Sequence, residues 1–152
     1  MAMIVRAHYY EQFDADYTLT LPTEREPRVA EYIFETIHGP VLLRGRIDAR
    51  ERDPWRTVVD YKLSESFEAE RYARSMQWRA YALLEHAQRF KYLVFESKMD
   101  MVQDDPERFM DVWIHDVHEL VLWPYPEMEQ EVKNVVSDLA GFVVKYVPGL
   151  VR

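Results

Sequence analysis

Asp48 and Asp60 stand twelve positions apart, and Lys62 follows the second by two. On a strand, side chains repeat every two residues, so Asp60 and Lys62 share a face. If Asp48 lies on a neighbouring strand, the two carboxylates converge on one divalent cation. Hard cations such as Mg²⁺ favour carboxylate and carbonyl oxygens and retain several waters. Such an ion neutralises charge on phosphoryl oxygens and makes water a nucleophile at neutral pH. The carbonyl of Tyr61 offers a third oxygen, and the Lys62 ammonium is suited to hold an attacking water and to stabilise developing charge. The chemistry these residues fit is phosphodiester hydrolysis. Two aspartates and a lysine beside a hairpin also occur as ordinary surface charges. The setting of Asp60 argues otherwise: it follows Val58-Val59 and precedes Tyr61, an apolar strand in which a carboxylate is costly without a metal or a lysine beside it.

The surrounding sequence supplies elements to mount these groups. Thr57-Val58-Val59 and Val41-Leu42-Leu43 are short apolar runs with the composition of strands. Asp53-Pro54 marks a turn within 50–55. Strands are expected over 30–37 and 40–50, joined at His38-Gly39-Pro40, and then over 56–62, forming an antiparallel meander. Apolar residues from Phe67 to Ala87 recur at helical spacing and predict one helix over 66–88, with Ser64 or Ser66 as its cap. An interior strand is expected over 91–98, a loop over 99–108 and an alternating strand over 109–117. After Pro124 and Pro126, the steps Met128, Val132, Val135, Leu139, Phe142 and Tyr146 predict an amphipathic helix. The fold class is α/β (α+β), with a central mixed sheet of about five strands flanked by helices. The length of 152 residues suits one domain over 1–152, in which 1–29 receives no assigned element.

Gly45-Arg46-Ile47-Asp48, Val59-Asp60-Tyr61-Lys62 and Gln77-Trp78-Arg79-Ala80-Tyr81 resemble, in order, the G-x-x-D, D-x-K and Q-x-x-x-Y motifs of the PD-(D/E)XK nucleases, in the branch with RecB-type and phage exonuclease domains. The resemblance implies a restriction-endonuclease-like core in which Asp48 and Asp60 bind Mg²⁺ or Mn²⁺, Lys62 is catalytic, and Gln77 and Tyr81 lie on the helix behind the site. Residues four apart share a helix face, which supports the last point independently. It further implies a metal-dependent deoxyribonuclease acting in recombination, repair or phage genome processing, with DNA as partner and a homo-oligomer or a repair protein as further company. Ile47 stands where the motif's proline would be, and the upstream acidic or histidine ligand has four candidates: His8, Glu11, Glu31 and Glu35.

Composition limits the other classes. The absence of cysteine excludes disulfides, thiolate zinc sites and iron–sulfur clusters. No run reaches the ~20 apolar residues of a membrane span, and Met1 to Tyr10 lacks the core of a signal peptide, so a cytoplasmic protein without a membrane partner is expected. The net charge of -8 opposes nucleic-acid binding, yet Arg71, Arg74, Arg79, Arg89 and Lys91 gather in and after the long helix. Arg74, with Arg71 and Arg79, is the expected phosphate contact, because it lies three before Gln77 and seven before Tyr81 on one helix face. The same charges serve equally as a solvated face. The alternative function is a nuclease-fold module that binds nucleic acid or a protein without cutting. His115 and His118 suggest a metal pair, but three residues apart on a strand they are expected to face opposite sides. Trp55, Trp78, Trp113 and Trp123 offer base stacking, with core packing the commoner role. Tyr9, Tyr10 and Phe13 fit either a partner patch or a first helix.

Overall fold

A computed structural model describes residues 28–100, 111–147 and 149. The expected loop over 99–108 and the aromatic group of Tyr9, Tyr10 and Phe13 fall largely or wholly outside those residues. The first two strands, β1 (Arg28–Thr36) and β2 (Gly39–Ile47), pair antiparallel as a hairpin. Gly39 takes φ +105, a left-handed conformation that a side chain would resist. The Thr36 hydroxyl donates to the Gly39 carbonyl at 2.7 Å and accepts the His38 N–H at 3.1 Å, which closes the turn. Alternation along β1 buries Ala30 and Phe34.

The expected strand over 40–50 is divided at Asp48. β3 (Ala49–Arg50) leaves the hairpin and pairs antiparallel with β4 (Val58–Ser64) in a second sheet. The Asp48 carboxylate accepts the Tyr61 N–H at 3.2 Å, where a continuing strand would have offered a carbonyl. The sheet order is β3-β4-β5-β6, with β5 (Phe90–Asp100) parallel to β4 and β6 (Asp111–Leu122) antiparallel to β5. The expected α+β fold with a mixed sheet flanked by helices is present: among the described residues a mixed four-stranded sheet stands with a two-stranded one, and it is the single antiparallel meander that is divided. β6 runs beyond the expected end at 117. Its register with β5 shifts between Glu96 and Ser97, the mark of a β-bulge.

A parallel pair requires a crossover, and β4 reaches β5 through two helices instead of the expected single one. α1 (Ala69–Arg74) ends and α2 (Met76–Leu84) begins at Ser75, whose ψ of 135 is extended. The Ser75 hydroxyl accepts the Gln77 N–H at 3.2 Å and so starts a new helix. Side chains fill the carbonyls freed by the break: Trp78 Nε1 donates to Ala73 at 2.8 Å, and Arg79 Nη1 donates to Arg74 at 2.8 Å and Ser75 at 3.1 Å. Helical periodicity runs through the break because both pieces press on the same sheet face. α3 (Met128–Tyr146) forms as its spacing predicts, with Met128, Val132 and Val136 buried.

One core lies between α2 and the sheet, built on Ile47, Val58, Trp78, Ala82, Phe90, Tyr92, Val94 and Met128. A second joins Phe34 of the hairpin to Leu83, Val132 and Val136. Among the tryptophans the core expectation holds for Trp78 at 3% exposure, whereas Trp55, Trp113 and Trp123 lie at the surface. Trp55 and Trp123 instead meet edge to face at 5.6 Å.

Gly45 joins the hairpin to this core. A Cβ there would stand 2.8 Å from the Tyr81 ring and 2.8 Å from Leu84 Cδ1. Gly45→Ala is expected to destabilise the protein by about 1–3 kcal/mol, the usual cost of forcing a methyl into a packed site. Urea unfolding monitored by circular dichroism measures it, and an unchanged midpoint would refute the close approach.

Candidate metal and catalytic centre

Alternation along β4 puts Val58, Asp60 and Lys62 toward the helices, while Val59 and Tyr61 line the opposite face with Leu93 and Phe95. Asp60 is only 2% exposed. Its Oδ2 lies 2.6 Å from Lys62 Nζ in a largely buried ion pair. Burial raises the Asp60 carboxyl above the ordinary aspartate value; Lys62 offsets part of the rise, and the charge and contact of Asp48 add to it. The Asp48 and Asp60 carboxylates therefore face each other across the point where the two sheets part. In an extended strand the N–H and C=O of one residue point to the same edge. Since the Tyr61 N–H is directed at Asp48, the Tyr61 carbonyl opens onto the edge that Asp48 occupies.

This donor set suits a hard divalent ion. Two carboxylates and a backbone carbonyl leave positions for the waters that Mg²⁺ and Mn²⁺ keep, and the buried Asp60 oxygen has Lys62 as its cationic partner. Among the described residues no group of three or more histidine and acidic side chains is placed to hold a metal ion. Of the upstream candidates, Glu31 lies on β1 in an ion pair with Arg44 at 2.5 Å, and Glu35 is exposed on the same strand. His8 and Glu11 lie outside the described residues.

Lys62 rests beside Tyr92, with Nζ 5.9 Å from the ring centroid. The Tyr92 phenol is pushed up to about 12, chiefly by burial and further by the Asp60 charge, so it stays a neutral hydroxyl. Gln77 Nε2 donates to the Tyr81 hydroxyl at 3.4 Å, and the Tyr81 ring lies over Gly45, three residues before Asp48. Tyr81 thus lies against the strand that delivers the first carboxylate, with Gln77 bonded to its hydroxyl.

The five clustered cations separate in space. Arg71 and Arg74 are exposed on α1, Arg74 paired with Glu70. Arg79 is turned inward: its Nε donates to the Tyr125 hydroxyl at 2.7 Å and lies 3.3 Å from Glu131, besides its bonds to the Arg74 and Ser75 carbonyls. Arg89 is held by Glu51 at 3.0 Å and Asp53 at 2.5 Å, and Lys91 by Glu51 at 2.8 Å and Glu119 at 3.2 Å. The periodicity of a helix puts Arg74 and Arg79 on related faces, but only tertiary packing decides which of them is covered.

The sequence expectation for His115 and His118 is corrected. Both imidazoles reach one carboxylate: His118 Nε2 lies 2.7 Å from Glu96 Oε2, and His115 Nε2 lies 3.3 Å from Glu96 Oε1. The bulge inserts an extra residue into the strand and so cancels the alternation. Contact with His118, then His115, holds the Glu96 carboxyl below its usual range. No spacing rule marks a bulge, so this cluster had no sequence signal beyond the histidines.

Because the folded pKa of Asp60 is raised, its ionisation opposes folding. That cost is absent below the unfolded value of about 3.9 and grows as pH rises through the folded value. Asp60→Asn is therefore expected to raise the melting temperature of the metal-free protein at pH 7 and to lose that gain near pH 4. Thermal melts across this range measure it, and a variant less stable than the parent at pH 7 would contradict it.

A family model of the PD-(D/E)XK nuclease superfamily matches residues 3–142. Among solved structures, the one described as "Crystal structure of SSO0001" is similar over 77% of this chain and 48% of its own, at 15% identity and a TM-score of 0.51. That likeness is one of fold, and this chain spans about half the length of that protein. No curated protein matches the chain.

Proposed function

The chain belongs to the PD-(D/E)XK nuclease superfamily, and from that premise we propose that it is a deoxyribonuclease dependent on Mg²⁺ or Mn²⁺. The observation that carries the reading is the buried Asp60 carboxylate, opposed by Asp48 and touched at 2.6 Å by Lys62. Asp48 and Asp60 hold the cation, with the Tyr61 carbonyl as a further oxygen. The bound ion supplies charge neutralisation at the phosphoryl group and acidifies water. Lys62 orients the attacking water in line with the scissile bond and donates toward the charge that develops on phosphorus. Gln77 and Tyr81 act at one remove by fixing the strand that carries Asp48. Arg71 and Arg74 contact the phosphate backbone. Arg79, joined to them in the sequence reading, serves as a brace that aligns α1 with α2.

The branch we favour is the RecB-like and phage exonuclease one, because the glycine, aspartate and glutamine–tyrosine motifs occur here in its order. The corresponding role is recombination, repair or phage genome processing in the cytoplasm, in company with a repair protein or further copies of the chain. No helix among the described residues is long and apolar enough to cross a membrane.

A second reading has its own support. The net charge is -8, and Arg79, Arg89 and Lys91 are spent on internal contacts, which suits a nuclease-fold module that binds without cutting. Titrating Mg²⁺ and Mn²⁺ into the protein with labelled linear, circular and single-stranded DNA separates the two. Ion-dependent cleavage is expected, falling by about 10³-fold in Asp60→Ala and in Lys62→Ala while Lys62→Ala still binds DNA. Ion-independent cleavage, or none, would reject the proposed activity. Arg71→Ala and Arg74→Ala are each expected to lower the slope of log affinity against log salt by about 1, with stability unchanged. Arg79→Ala should instead cost about 1–3 kcal/mol of stability, because it strips donors from part-buried acceptors.

A further inference from the structure

Lys62 faces a conflict within the site just described. Among the described residues its anionic contact is Asp60, at 2.6 Å, and Asp60 is also a carboxylate that a divalent cation would take. An ammonium that loses its counter-ion at that moment swings into solvent unless another contact keeps it in place, and Lys62 is already partly exposed at 29%. A second carboxylate would be a poor holder, since it would compete for the ion. A ring face attracts the ammonium through its quadrupole but offers nothing to a hard cation.

The geometry points to Tyr92 as the positioning residue for Lys62: its ring holds the ammonium at the site while Asp60 is engaged elsewhere. This rests on the nuclease reading and deepens it. Tyr92 is the register partner of Asp60 across the parallel β4–β5 pair, and it is fully buried. Lys62 Nζ lies 5.9 Å from the ring centroid, within the range of a cation–π contact. The ring cannot turn aside. Phe90 meets it edge to face at 4.8 Å, and Tyr72 lies against it at 5.1 Å. Tyr72 is backed in turn by Phe67, stacked at 5.7 Å, and Phe67 by the His118 imidazole, stacked at 4.3 Å. The Glu96 carboxylate at 2.7 Å fixes that imidazole. A row of rings thus runs across the sheet from β6 to the lysine, and its last face is the one that Lys62 uses.

Two variants divide ring from hydroxyl: Tyr92→Phe keeps the face, and Tyr92→Leu removes it. A Tyr92 ring face turned to Lys62 is expected to displace the Lys62 Hε protons upfield in NMR spectra. That displacement is expected to persist in Tyr92→Phe and to vanish in Tyr92→Leu, with and without Mg²⁺. In cleavage assays Tyr92→Leu should lose about tenfold in kcat with little change in KM or in calorimetric Mg²⁺ affinity, and Tyr92→Phe should recover most of the loss. In a Lys62→Ala background, Tyr92→Leu should cost nothing further. A Lys62 spectrum identical in parent and Tyr92→Leu, or equal losses from Tyr92→Leu with and without Lys62, would overturn the assignment. If the parent does not cleave, the nuclease reading fails while the spectral comparison still decides on Tyr92. If Tyr92→Leu does not fold, Tyr92→Met supplies the unringed variant.

Discussion

A carboxylate with 2% exposure is the constraint around which this molecule is organised. Charge at that depth costs free energy unless something opposite answers it. Asp60 is answered by Lys62 from its own strand face, and is burdened by Asp48, whose carboxylate adds to the cost of ionising it. An arrangement that sets a buried acid against a half-buried one with one lysine between them is short of positive charge. The hydrophobic core of Val58, Phe90, Tyr92 and Val94 keeps Asp60 desolvated and offsets that cost through apolar burial.

The path of the chain follows from the same point. Asp48 leaves the β2 strand so that its side chain takes the Tyr61 N–H, and this departure splits one expected strand between two sheets. Gly45, three residues earlier, brings β2 close beneath α2, and the Tyr81 ring fills the space a side chain would have used. The glycine and tyrosine motifs are therefore two halves of one contact. The break at Ser75 lets α1 and α2 both follow the sheet, and Arg79 is spent on closing it.

Much of this was legible in the sequence. Valines before Asp60 marked a buried strand, two-residue spacing placed Lys62 beside it, and Met128, Val132 and the residues following marked the last helix. Features made by tertiary contact were not legible. Helical periodicity passes unchanged through Ser75, so the break left no trace in spacing. Arg74 and Arg79 look alike in sequence; only the approach of Tyr125 and Glu131 separates an exposed cation from a covered one. The bulge at Glu96 overturned a sound alternation rule, and the pairing of Arg89 and Lys91 with Glu51 dispersed a cationic stripe. Nothing in the order of residues records such partners.

The parallel pairing of β4 with β5 has a consequence for how the protein assembles. Asp48 and Asp60 are joined by one short connection and meet at small entropic cost, whereas Val58 must find Phe90 across the whole helical crossover. Local contacts form first in such a topology. Asp60 then stands beside Asp48 in water before the strand that buries it arrives, and the cost of dehydrating its charge falls on the slow, long-range step. A proton held by Asp60 at that stage removes much of that cost, so closure of the sheet is eased wherever the carboxyl is neutral.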